Sequence, residues 1–275
     1  MAQINVGVLA LQGAFSEHIM LLRHAFAMLQ AERDDSSWIA TEVRTPEQLN
    51  ACDALIIPGG ESTAIALVAS RCEMLEPLRS FVKIERRPTW GTCAGLILLA
   101  EAANRTKKGG QDLIGGIDVR VNRNYYGRQV ESFEADIDLP FLKTGQPGSE
   151  TRPFRGVFIR APVVEKILPQ VSGIQTAEQE HPETIVAPSK APRDSFSASK
   201  LSAPVEVMAT LPGRTNVNDL PQRVKEESDG DIIAVRQANV FGTSFHPELT
   251  VDPRIHIWWL REVKDAVAEN RSHRI

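Results

Sequence analysis

The spacing of apolar positions along this chain switches repeatedly between strand-like runs and helical periods. Ile4 to Leu11 is a nearly unbroken apolar run ending at Gln12-Gly13, the pattern of a strand buried on both faces that feeds a turn. From Phe15, apolar residues recur at Ile19, Leu22, Phe26 and Leu29, which is helical spacing. Trp38 to Val43 suits a second strand and Pro46 to Asn50 a short helix. Ala54-Leu55-Ile56-Ile57 suits a third buried strand, ended by Pro58-Gly59-Gly60, with a helix starting near Glu61-Ser62-Thr63. Pro88-Thr89-Trp90 is a short extended run, and Leu96 to Ala102 reads as a helix of strong formers. Strands alternating with helices predict an α/β fold with a mainly parallel central sheet flanked by helices.

The middle of the chain breaks that alternation. Ile117 to Val121, Gln129 to Ile137 and Arg155 to Ile159 read as strands without long helices between them, which predicts an antiparallel extension. Asp231 to Arg236 and Asn239 to Thr243 form a hairpin-like pair around Gln237-Ala238, and a last helix starts near Pro253. Lys143 to Pro153, Gln170 to Ser202 and Asn216 to Gly230 are polar and rich in Ser, Pro, Gly or charge. They read as surface insertions in a single domain spanning 1–275, the second of them partly disordered.

Composition narrows the class. The 275 residues are 42% hydrophobic, with a formal net charge of -4, which argues against a general nucleic-acid binder. The three cysteines, Cys52, Cys72 and Cys93, have no paired spacing, so neither a disulfide framework nor a zinc site is expected. No apolar run has the length of a membrane span and the N-terminus lacks secretory features, so a cytoplasmic protein is the expectation.

Three turns carry candidate chemistry. In Gly91-Thr92-Cys93-Ala94-Gly95, glycines two before and two after a cysteine match a nucleophile elbow with Cys in place of Ser, at a helix N-terminus that favours the thiolate. The same segment also suits a buried core cysteine. Phe245-His246-Pro247-Glu248 follows a strand-like run, so His246 is a candidate base and Glu248 its orienter, two positions on along extended backbone. Taken alone, His-Pro-Glu is also an ordinary surface turn. Pro58-Gly59-Gly60 ends a strand with backbone N–H groups open to a ligand, the material of an oxyanion hole, or of a plain strand–turn–helix capped near Ser62 or Thr63. Cys52 and Cys72 read as packing residues, and His18, His24 and His256 as helical histidines without ligand partners.

Together these turns resemble the class I triad glutamine amidotransferases, in that family's order. The resemblance narrows to the glutaminase subunit of pyridoxal 5′-phosphate synthase through Val8 to Ala14, Pro58 to Thr63, Asn122-Arg123-Asn124 with Tyr126 to Gln129, and Gly156 to Pro162. It covers most of the chain outside the polar insertions. It implies a flavodoxin-like fold, with Cys93 as nucleophile toward the glutamine amide, His246 as proton carrier and Glu248 as its orienter. By the same resemblance Gly60, Glu61, Ser62, Arg123, Ile159 and Arg160 hold L-glutamine, and Gly59, Gly60 and Gln12 form or gate the oxyanion site. It further implies hydrolysis to glutamate and ammonia through a thioester, with no cofactor and no metal. Ammonia would pass to a separate barrel-shaped synthase subunit, without nucleic acid or membrane. Paired aromatics at Tyr125-Tyr126 would border substrate access. A stand-alone γ-glutamyl thiol hydrolase and a non-catalytic binding subunit on the same fold are the competing readings.

Overall fold

The computed structural model describes residues 3–32, 34–105, 110–123, 132–143, 152–171, 173–189, 191–212 and 230–273. Strand β1 (Gln3–Leu9) leads into helix α1 (Phe15–Ala31), then β2 (Ser37–Val43), α2 (Pro46–Asn50), β3 (Ala54–Ile57), α3 (Ser62–Arg71) and α4 (Leu75–Arg79). After a π-helical turn at Ser80–Ile84 come β4 (Thr89–Thr92), α5 (Ala94–Leu99) and β5 (Ala100–Asn104). The middle supplies β6 (Ile117–Asn122), β7 (Ser132–Ile137), β8 (Phe154–Ile159), β9 (Val163–Ile167), α6 (Thr176–Gln179), β10 (Thr184–Val186) and α7 (Ser195–Leu201). The chain ends with β11 (Val205–Leu211), β12 (Asp231–Gln237), β13 (Val240–Thr243) and α8 (Arg254–Ser272).

The strands order as β10-β5-β6-β9-β12-β13-β4-β3-β1-β2, with β11 on β12. The run β2-β1-β3-β4-β13 is parallel throughout. β13 then turns back antiparallel to β12 through Ala238, whose φ of 51° closes the tight hairpin. β7 and β8 form a separate antiparallel pair. Side-chain alternation divides the core between the faces of the sheet. Ile4, Val6, Val8, Ala54 and Ile56 join one cluster with α1 and α8, while Leu9, Leu55 and Ile57 join the other with α3, α4 and α5. Because the five central strands are parallel, β1, β3, β4 and β13 all end at the same edge, where an α/β sheet presents ligands.

Three expectations change. The helix expected over Leu96 to Ala102 stops at Leu99, and Ala100 opens β5. Alanine's helix preference is small beside the pairing of β5 with β6 and β10. The polar stretch Gln170 to Ser202 is built into the molecule rather than laid on it. Its Thr184–Val186 pairs with β5, and Gln175, Glu178, Thr184 and Ser197 are buried. Cys72 is exposed at the end of α3 instead of packed, whereas Cys52 is buried and burial pushes its thiol up to about 12. β9 and β11 carried no expectation from sequence. Tyr125-Tyr126 and 216–229 lie outside the described residues, as do 144–151 of the first polar stretch.

Candidate active site

Cys93 sits where β4 ends and α5 begins, with φ 46° and ψ -99°. A side chain in that sparsely populated region is strained, and the neighbouring glycines make it possible. A Cβ on Gly91 would lie 2.4 Å from the Gly95 carbonyl carbon, and one on Gly95 would lie 2.1 Å from the Ile57 oxygen. The elbow therefore packs backbone on backbone. The Cys93 N–H donates to the Thr243 carbonyl at 2.8 Å, locking the turn to β13. Its Sγ faces the Ile159 carbonyl at 3.9 Å.

His246 comes off the end of β13. Its backbone N–H donates to the Val157 carbonyl of β8 at 2.8 Å, so the antiparallel extension fixes the turn that carries it. Phe245 beneath packs against Phe158, with ring centroids 5.7 Å apart. Glu248 is reached through a 3-10 turn, Pro247–Leu249, rather than along extended backbone. Its Oε1 lies 2.7 Å from His246 Nδ1, and both side chains are buried. A carboxylate there requires the proton on Nδ1, which leaves Nε2 for Cys93. Burial opposes a charge on His246. The hydrogen bonds to Cys93 and Glu248 and the attraction of both outweigh it, raising the imidazole to about 10.

The Pro-Gly-Gly turn lies directly against this pair. A Cβ on Gly59 would sit 2.2 Å from His246 Cε1 and 2.5 Å from its Nδ1, so only glycine leaves room for the ring. The Gly59 carbonyl accepts from Ala14 N–H at 2.9 Å. Gln12 Oε1 accepts from Glu61 N–H at 2.9 Å, which joins the loop after β1 to the loop after β3.

The remaining site residues divide into two groups. The Glu61 carboxylate caps α3, accepting from Thr63 N–H at 3.1 Å and Ala64 N–H at 2.7 Å. Arg123, at the end of β6, is buried and donates from Nη2 to Ser62 Oγ and Thr63 Oγ1, each at 3.0 Å. Burial lowers its guanidinium and the charge of Glu61 works against that. Gln111 Oε1 holds the same two hydroxyls at 3.1 and 3.0 Å. Glu61, Ser62 and Arg123 thus form one charged patch at the start of α3. Ile159 lies opposite the sulfur, and Arg160 follows with φ 45° and an exposed side chain.

Sequence reasoning missed His18, His256 and Thr92. His18 and His256 are wholly buried, and His18 Nδ1 lies 3.0 Å from His256 Nε2 behind Glu248. The one local sign was helical phase, which puts His18 beside the core residues Ile19 and Leu22 on the inward face of α1. Among the described residues no group of three or more His, Cys, Asp or Glu can hold a metal, and no helix is long and apolar enough to cross a membrane.

The arrangement is a cysteine at an elbow, a buried imidazole aligned by a carboxylate, and a Pro-Gly-Gly turn packed against the imidazole, an arrangement suited to nucleophilic acyl transfer. The SNO glutamine amidotransferase family matches residues 8–199 and 207–265. An Arabidopsis thaliana protein named "Probable pyridoxal 5'-phosphate synthase subunit PDX2" is 40% identical over 95% of this chain and 87% of its own length. Pyridoxal 5'-phosphate synthase subunit PdxT of Thermococcus onnurineus is 36% identical, over 94% of this chain and 98% of its own. That of Streptomyces coelicolor is 38% identical, over 97% and 95%. A crystal structure titled as a glutamine amidotransferase superposes with a TM-score of 0.59 at 33% identity, covering 94% of this chain and 98% of that one. The chain belongs to the SNO glutamine amidotransferase family.

Proposed function

We propose that this chain is the glutaminase subunit of a pyridoxal 5′-phosphate synthase, hydrolysing L-glutamine to glutamate and passing ammonia to a barrel-shaped synthase partner. The observation that carries the reading is the buried Cys93–His246–Glu248 line at the parallel strand ends, with His246 Nδ1 2.7 Å from Glu248. Family membership supplies the substrate class.

In this mechanism the Cys93 sulfur attacks the side-chain amide carbon of glutamine. The oxyanion forms beside the N–H groups of the Pro-Gly-Gly turn at Gly60 and the first N–H of α5, that of Ala94. His246, held charged by Glu248 and the thiolate, gives its Nε2 proton to the departing nitrogen, and ammonia leaves. A γ-glutamyl thioester remains on Cys93. His246, now neutral, takes a proton from water as its oxygen attacks the thioester carbon; the C–S bond breaks, glutamate leaves, and Cys93 returns to the thiolate beside a charged His246. Arg123 offers a guanidinium to the α-carboxylate and Glu61 a carboxylate to the α-ammonium. Arg160 and the Ile159 carbonyl line the opposite side, and Gln12, bridging to Glu61, sits where docking of a partner can rearrange the oxyanion turn.

A partner surface is supported by exposed Met20, Leu249 and Val251, on α1 and on the chain that follows His246 and packs against it. The test is ammonia release from glutamine, with and without a synthase subunit. Cys93→Ala loses at least about 10³-fold in the complex, and a glutamine-like electrophile adds its mass at Cys93 in the wild type. Wild-type speed without any partner points instead to a stand-alone hydrolase, and ammonia release by Cys93→Ala removes the mechanism.

A further inference from the structure

The triad carboxylate has a second oxygen, and the structure surrounds it with groups that the mechanism above leaves unused. Glu248 Oε2 is buried and makes no hydrogen bond among the described residues. His18 Nε2 lies 3.4 Å away, and both side chains are fully buried. His18 Nε2 also lies 3.2 Å from Thr92 Oγ1, the residue before the nucleophile. The other ring nitrogen of His18, Nδ1, lies 3.0 Å from His256 Nε2 on α8. His256 Nδ1 is buried and has no partner among the described residues. Trp90 seals the pair, lying edge-on to both rings with centroids 5.6 and 4.9 Å away.

Only one pair of tautomers suits these contacts. If His18 Nε2 were bare, its lone pair would face a buried carboxylate 3.4 Å away. His18 Nδ1–H would then donate to His256 Nε2, leaving a buried, orphaned N–H on His256 Nδ1. Both consequences are unfavourable. With the proton on Nε2 of each ring, His256 donates to His18 Nδ1, His18 donates toward Glu248 Oε2 and Thr92 Oγ1, and the unpartnered nitrogen carries only a lone pair. Burial is the largest influence on both rings. It drives His18 well below its ordinary value and His256 down to about 3, so both stay neutral in the working range. The titratable groups that act on His18 are His246 and Glu248 from the turn after β13 and His256 from α8, while Asp252 acts on His256.

We propose that His18 is a positioning residue for the triad carboxylate: as a neutral Nε2–H tautomer set by His256, it holds the outer oxygen of Glu248 while His246 holds the inner one. The hydrogen-bonded line then runs from His256 through His18, Glu248 and His246 to Cys93. This rests on the triad reading above. The 3.4 Å spacing is long for a hydrogen bond, and contacts of this kind tighten when substrate is bound. Because α1 also follows the Gln12 loop, a single helix is tied both to the oxyanion turn and to the carboxylate.

The test is glutaminase kinetics against pH, in the complex with the synthase subunit. His18→Phe keeps the ring volume and removes the donor, and His18→Asn carries an amide to the Nδ1 position only. Each lowers kcat about 10-fold, the scale of one hydrogen bond to a charged group, with KM for glutamine changed less than about 2-fold. Each also moves the acid limb of kcat upward in pH, because the ionised form of the triad has lost a donor. His18→Gln, whose amide reaches the Nε2 position, restores most of both. Thermal melting checks that each variant folds. A nitrogen-15 imidazole spectrum of the wild type supplies a test that no unfolded variant can spoil: both buried rings appear as neutral Nε2–H tautomers from about pH 5 to 9. A folded His18→Phe or His18→Asn with wild-type kcat and acid limb overturns the proposal, as does a His18 proton on Nδ1. Glu248→Gln separates the two levels. If it is crippled while the His18 variants are not, only the role of His18 falls. If it too keeps full activity, the triad reading falls and takes His18 with it.

Discussion

Three residues of the site are dictated by space rather than by chemistry. Gly59 lies under the His246 ring, where a methyl group would stand 2.2 Å from Cε1. Gly59→Ala therefore displaces the imidazole or the turn. Glutamine hydrolysis is expected to fall at least about 100-fold, the penalty for a misplacement near 1 Å, with the melting temperature little changed. Gly91 and Gly95 do the same for the elbow, so the G-x-C-x-G pattern was legible because sterics alone require it. His246 yields a pH prediction. Its imidazole is raised from an ordinary 6.5 to about 10 in the folded chain. The stabilisation it brings is complete below the unfolded value and is lost as pH rises through the folded one. Urea melts should therefore show this contribution decaying over roughly pH 7 to 10, judged against His246→Gln. With Cys93→Ala in both chains the decay ends at a lower pH, since the hydrogen bond and charge of Cys93 are gone.

At the scale of elements, parallel order in the sheet does most of the positioning. β1, β3, β4 and β13 are neighbours, so Gln12, Gly59, Cys93 and His246 meet at one edge although they are far apart in sequence. The β7–β8 pair then holds the turn after β13 through the Val157 carbonyl. The segment Gln170 to Ser202 was misread because polar composition is a poor guide where buried polar groups find partners. Gln175 donates to the Pro169 carbonyl at 2.9 Å, and Glu178 pairs with Arg120 at 3.0 Å. The Leu96 to Ala102 helix was overextended for the opposite reason. Its local preference was genuine, and strand pairing at Ala100 overrode it.

Across the whole molecule, a buried ion pair joins the far strands to the helical layer. Lys83 Nζ lies 2.8 Å from Glu101 Oε1 and donates to the Pro188 carbonyl at 2.9 Å, and Gly116 N–H donates to Glu101 at 2.8 Å. Lys83→Met leaves the Glu101 carboxylate uncompensated, and chemical denaturation should register a loss of about 3–5 kcal/mol. Partner dependence belongs to the same scale. Adding the synthase subunit is expected to raise the rate of glutamine hydrolysis, measured as kcat at saturating glutamine. An unchanged kcat would remove the role proposed for the Gln12 bridge.

The sequence by itself determined the alternating elements of the core, the elbow at Cys93, the two glycines at Gly59-Gly60 and the His-Pro-Glu turn. These are local matters: periodicity, turn sterics and cap chemistry act within a few residues. Tertiary structure alone decided that His18 and His256, 238 residues apart, meet behind Glu248. It also decided that Glu248 reaches the imidazole through a 3-10 turn and that Arg123 joins the hydroxyls at the start of α3. Each of these depends on which strand lies beside which and on the burial that follows. A histidine on an apolar helix face has the same sequence signature whether it fills space or orders a carboxylate, and only the atoms packed against it distinguish the two.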